Sequence, residues 1–161
     1  MSGDLVVAAD GMNSPIRKRM ASASGHVDRL VPAGHSAYRF LLPKALVEHD
    51  ETVMSLLRKN QGMRILGPDG HIMAYPLRQN TLYNVVLVRA TAGEKTRTTS
   101  WTTYGRKEEV IEHHRGWCPV VQALIRHVPG SEILETPMSN MPPLPTWVRG
   151  QVVLAGDACR K

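Results

Sequence analysis

Two acids stand at matching places near the two ends of this 161-residue chain. Asp10 follows the apolar run Leu5-Val6-Val7-Ala8-Ala9, and Asp157 follows Val152-Val153-Leu154-Ala155-Gly156. Short, uninterrupted apolar runs read as strands buried on both faces, as in parallel sheets. Open α/β sheets bind ligands outside the carboxyl ends of such strands. A carboxylate at that position accepts hydrogen bonds from ribose-type hydroxyls, and N–H groups at the next helix start can face a pyrophosphate. Gly11 and Gly156 permit a sharp turn and a close backbone approach to a ligand. Ser14 reads as a helix N-cap with Pro15 at the first helical position. Arg17, one turn further, is placed to pair with Asp4, Asp10 or a phosphate.

Other reactive residues carry less. His113 and His114 are adjacent and point to different sides of a helix, and no Cys or His pair has ligand spacing, so no metal site is expected. Cys118 and Cys159 are too few and too far apart for a disulfide framework, which suits a reducing, cytoplasmic setting. Arg17-Lys18-Arg19 lacks interleaved aromatic residues and reads as a solvated helix face, so no nucleic-acid partner is expected. Glu108, Glu109 and Glu112 precede Arg115 and read as surface pairing partners. The net charge of +6 permits anionic ligands without naming one. A hydrophobic content of 42% with 21% charged residues excludes disorder of the whole chain. No apolar stretch approaches the roughly 20 residues of a membrane span, and no secretory signal opens the sequence.

The elements that must position these residues are of two kinds. Residues 5–9 and 151–155 read as buried strands, and a helix follows Ser14. Residues 21–35 read as a loop. Ser36–Leu42 reads as a strand, Pro43–His49 as a short helix, and Asp50 caps another helix running to Asn60. Met63–Leu66, His71–Leu77 and Thr81–Arg89 form an antiparallel meander, with Gly67-Pro68-Asp69-Gly70 as its first turn. Residues 91–103 are a polar, Thr-rich excursion. Arg106–Arg115 is helical, and Pro119 starts a helix whose Val120, Val121, Leu124, Ile125 and Val128 make one apolar face with Trp117. Residues 137–146 hold four prolines and read as an extended connector.

In this order and at this distance the two acid motifs resemble those of the single-component FAD monooxygenases of the salicylate hydroxylase and p-hydroxybenzoate hydroxylase type. The middle motif of that family, D-x-x-x-G-A-D-G-x-x-S-x-x-R, is matched by Asp4, Ala9, Asp10, Gly11, Ser14 and Arg17, with Ala8 in place of a glycine. Its later motif, G-D-A-x-H, is matched by Gly156, Asp157 and Ala158, with Arg160 in place of the histidine. The segments Ala37-Tyr38-Arg39, Tyr75-Pro76-Leu77-Arg78 and Trp147 through Leu154 resemble the family between and before these motifs.

The resemblance implies FAD as cofactor, NAD(P)H as reductant, and O2 and a small aromatic molecule as substrates of a ring hydroxylation. It implies that Asp157, with Gly156 and Ala158, faces the ribityl and ribose region. It gives Asp10, Gly11, Ser14 and Arg17 the pyrophosphate side and a link to NAD(P)H. Tyr38, Arg39, Tyr75 and Tyr83 are candidates for a substrate wall, and strand alternation puts only some of them inward.

The expected fold class is mixed α/β (α+β), with partial Rossmann-like FAD-binding elements at both ends around an antiparallel-sheet substrate domain. The expected division is 1–35 and 146–161 for the FAD-binding parts and 36–145 for the substrate part. The family's G-x-G-x-x-G cradle does not occur in these residues, so the chain reads as an internal piece of a larger enzyme, and no catalytic residue is assigned. A non-catalytic fragment and a basic nucleic-acid-binding module are the alternatives.

Overall fold

The computed structural model describes residues 3–91 and 103–159. In chain order its elements are β1 (Val6–Ala8), α1 (Pro15–Ala23), β2 (Val31–Pro43), a 3-10 turn (Lys44–Leu46), α2 (Glu51–Leu57), β3 (Met63–Gly67), β4 (Gly70–Leu77), β5 (Leu82–Ala90), β6 (Thr103–Arg106), α3 (Lys107–His113), α4 (Pro119–Arg126), β7 (Glu132–Asn140), β8 (Val148–Arg149), β9 (Val152–Leu154) and a 3-10 turn (Gly156–Ala158). The fold is mixed α/β, as the residue pattern predicts. The chain divides into two compact units, one of Met1–Ala33 with Ser139–Lys161 and one of Gly34–Met138.

The first unit is built on a three-stranded sheet of order β1-β9-β8. β1 and β9 run parallel, with Ala8 opposite Leu154, so segments distant in sequence become neighbours. Ala8, Met20 and Leu154 form its small core, with Ile16, Leu144, Val152 and Cys159 packed against them. One expectation fails here. Leu5, Val6 and Val7 are 62%, 46% and 58% exposed, not buried on both faces. Among the described residues β1 pairs with β9 alone and lies at the edge of its sheet, so much of its apolar surface is left uncovered. The predicted loop over 21–35 also shortens from both ends, because α1 continues to Ala23 and β2 begins at Val31.

The second unit is a six-stranded sheet of order β3-β4-β5-β2-β7-β6 with helices on one face. Its β3-β4-β5 part is the predicted meander. The β3–β4 hairpin turns through Pro68-Asp69 and pairs Gly67 with Gly70. Both glycines are required for space: a Cβ at Gly67 would strike the Trp117 indole, and one at Gly70 the Val88 carbonyl. The register places Tyr38, Leu42, Ile72, Ala74, Tyr83, Val85 and Leu87 on one face of the sheet. There they meet Val53, Met54 and Leu57 of α2, Val110 of α3, and Val121, Leu124 and Ile125 of α4. Each fully buried Val, Leu, Ile or Met among them contributes roughly 1.5–3 kcal/mol. This is the main core of the molecule.

Three strands lie outside the sequence reading, one of them the short β8. β7 occupies Glu132–Asn140, the first part of which has no sequence assignment and the last part of which reads as connector. β6 occupies Thr103–Arg106, at the end of the Thr-rich stretch. The rest of that stretch, 92–102, and Arg160 lie outside the described residues. Among the described residues no helix is long and apolar enough to cross a membrane.

Candidate functional site

β1 and β9 end side by side, and the Ala155 N–H donates to the Ala8 carbonyl at 2.9 Å, extending the pairing beyond the strands. Asp10 is the second residue after Ala8 and Asp157 the third after Leu154, so both acids leave the same edge of the sheet. Both are exposed. Each has a glycine beside it with a left-handed backbone, Gly11 at φ +83° and Gly156 at φ +60°. A Cβ at either glycine would meet nothing within 4 Å, so these glycines are required by conformation, not by a close approach inside the chain.

Behind this edge the other motif residues are buried and committed. Ser14 is 0% exposed, and its Oγ accepts the Arg17 N–H at 2.9 Å, which caps α1 as predicted. Arg17 is 1% exposed. Its guanidinium pairs with neither Asp4 nor Asp10. Nε donates to Asp28 Oδ1 at 2.7 Å, and the terminal nitrogens donate to the carbonyls of Pro142 at 2.9 Å, Cys159 at 3.0 Å and Ala158 at 3.4 Å. The geometry explains the difference from the sequence reading. The side chain turns inward from the first turn of α1, where desolvation demands a carboxylate and carbonyls, and Asp28 supplies the charge. Asp28 was missed because nothing in its local sequence marks it. Ala158 is fully buried and Cys159 half-buried beside it.

The wall residues in the second unit separate by the pleat. Tyr38 and Tyr83 point into the core under the helices, and burial pushes both phenols above their ordinary pKa. Arg39 and Tyr75 are on the opposite face with Met73 and Asn84, and Ala37, Val86 and Val88 form a second, small buried cluster there. Close to Tyr38 is a buried polar group that sequence reasoning did not find. Glu135 Oε1 accepts from Ser36 Oγ at 2.7 Å and from Arg89 at 3.1 Å, and the Arg89 guanidinium lies 5.5 Å from the Tyr38 ring centroid. Its members come from β2, β5 and β7, so no sequence spacing could have joined them. His114 is buried on α3's C-cap with Nδ1 donating to the Val110 carbonyl at 2.8 Å, and burial holds its pKa below the usual histidine range. Among the described residues no three His, Cys, Asp or Glu side chains gather as a metal site would need.

A parallel strand pair with acids and left-handed glycines at its carboxyl edge puts the first unit in the class of α/β folds that bind ligands at that edge. The chain belongs to the FAD binding domain family, whose sequence pattern matches residues 1–161. It is 37% identical over 159 residues to the FAD-dependent monooxygenase atnJ of an Arthrinium species, covering 99% of this chain and 37% of that protein. It is 31% identical to the 6-hydroxynicotinate 3-monooxygenase of Bordetella bronchiseptica, covering 97% of this chain and 37% of that protein. A solved salicylate hydroxylase substrate complex superposes with a TM-score of 0.82 at 27% identity, over 99% of this chain and 40% of that one. The chain thus spans a little over a third of the length of the curated relatives it matches.

Proposed function

We propose that this chain is part of an FAD-dependent, NAD(P)H-using monooxygenase that hydroxylates a small aromatic substrate with O2. The observation that carries the reading is the pair of exposed carboxylates, Asp10 and Asp157, at the ends of adjacent parallel strands. Their chemistry fits the group: a flavin dinucleotide presents ribityl and ribose hydroxyls, which are donors, and carboxylates are acceptors. Asp157 would hold hydroxyls of the cofactor's sugar-alcohol region, and Asp10 with Gly11 the side nearer the pyrophosphate. The bound flavin supplies the electron and oxygen chemistry that no side chain has. The protein's part is to bind it, orient the ring substrate and keep water away.

For the substrate, the face of the sheet opposite the helices is the better wall. Arg39 and Tyr75 are exposed there, with Val86 of β5 between Arg39 and the apolar Met73 of β4. A guanidinium over an apolar floor suits a ring with a carboxylate. Salicylate and 6-hydroxynicotinate, in the names of two similar proteins, are such rings. A second reading, a chain that keeps the fold and binds no flavin, is favoured by the exposed Val6 and Val7 on β1 and Leu5 just before it. Titrating the purified chain with FAD and following flavin fluorescence separates the two. Saturable binding that Asp157→Ala removes supports the first reading, and no binding by a folded chain supports the second.

A further inference from the structure

We infer that Arg17 and Asp28 form a positioning clamp that sets the turn carrying Asp157, and that Arg17 does not itself contact the cofactor. The inference rests on the flavin reading above and goes beyond it in assigning a role to Asp28, a residue outside both motifs.

Among the described residues Arg17 is the most deeply buried cation of the first unit at 1% exposure, and four hydrogen bonds leave its guanidinium. Two of them end on the carbonyls of Ala158 and Cys159, the residues that directly follow Asp157. A third ends on Pro142, in the segment between β7 and β8. The fourth is the ion pair with Asp28, in the segment between α1 and β2, at 2.7 Å with the carboxylate only 10% exposed. Among the described residues the turn has few bonds of its own, one of them from the Cys159 thiol to the Gly156 carbonyl at 3.1 Å. It is a single 3-10 turn closed by Ala158 N–H to Ala155 O at 3.3 Å and Cys159 N–H to Gly156 O at 3.1 Å. A planar guanidinium with fixed donor directions is suited to holding two successive carbonyls, and a lysine ammonium is not. A cation so enclosed cannot turn to a phosphate without leaving a buried carboxylate uncompensated. The exposed acid and the buried clamp therefore divide the work: Asp157 meets the ligand, and Arg17 with Asp28 fixes where Asp157 stands.

The test uses Asp28→Asn and Arg17→Lys in the full chain, with FAD affinity and amide hydrogen exchange as readouts. Partners behind a ligand-binding group typically matter by about 10–100-fold in affinity. We expect Asp28→Asn to weaken FAD binding by about tenfold, and Arg17→Lys by at least as much, with far-UV circular dichroism unchanged. Exchange at the Ala158 and Cys159 amides should accelerate in both variants while that of the β4–β5 amides does not change. If Arg17 were a phosphate contact, releasing it from Asp28 would leave FAD affinity unchanged or raise it, and that result overturns the clamp. If the unaltered chain binds no FAD, the flavin reading falls by itself. The exchange measurement then decides the clamp alone, and unaltered exchange at Ala158 and Cys159 in Asp28→Asn overturns it.

Discussion

At the scale of single residues, the two acid motifs contain two kinds of side chain. Asp10 and Asp157 are exposed at the sheet edge, whereas Ser14, Arg17 and Ala158 are buried behind it. A sequence motif lists both kinds without distinction. The capping role of Ser14 was legible because caps are local, fixed by a serine before a proline and an apolar face. The partner of Arg17 was not legible, because Asp28 reaches it through tertiary packing alone. The backbone matters as much as the side chains. Substituting Gly156→Ala forces an L-residue into φ +60°, which costs roughly 1–2 kcal/mol. That variant should lower the Tm and weaken FAD binding together, whereas Asp157→Ala should weaken binding by about tenfold or more with little change in Tm. Calorimetry beside the flavin titration tests the contrast.

At the scale of elements, helix ends carry most of the testable energy. Ser14→Ala removes the N-cap of α1 and should destabilise the first unit by about 1 kcal/mol, read from denaturant unfolding. α2 depends on Asp50, whose Oδ1 accepts the Val53 N–H at 3.2 Å and whose Oδ2 accepts from His127 Nε2 at 2.9 Å. The His127 hydrogen bond, with the cap bond, holds the Asp50 carboxyl below the usual carboxylate range. A depressed folded pKa means stability that is complete above the unfolded value, about 3.9, and lost as pH falls through the folded one. Asp50→Asn should therefore flatten the acid limb of a Tm-against-pH curve, and a limb of unchanged slope would count against the pairing. The meander was legible because alternation and a Pro-Asp turn are local signals. β6 and β7 were not, because they pair with each other across a long stretch of chain and β7 contains Pro137, a residue that argues against a strand.

At the scale of the whole molecule, the two units differ in how well they cover their apolar surface. The second has a deep core between sheet and helices. The first has a core of a few side chains and an edge strand with Val7 58% exposed. Exposed apolar edges template association between chains. Val7→Lys should accordingly raise the concentration at which the chain stays monomeric in light scattering, without altering its circular dichroism. The mixed fold class was readable from the sequence because strand type follows from pattern: uninterrupted runs at both ends, alternation between them.

The account turns on whether the edge formed by β1 and β9 is a flavin site. The direct measurement is a fluorescence titration of the purified chain with FAD, run beside Asp157→Ala and Asp10→Ala. Saturable binding that is lost or weakened about tenfold in Asp157→Ala, with both variants folded, is the result the account predicts. Binding that is indifferent to both acids, or no binding by a folded chain, would contradict it.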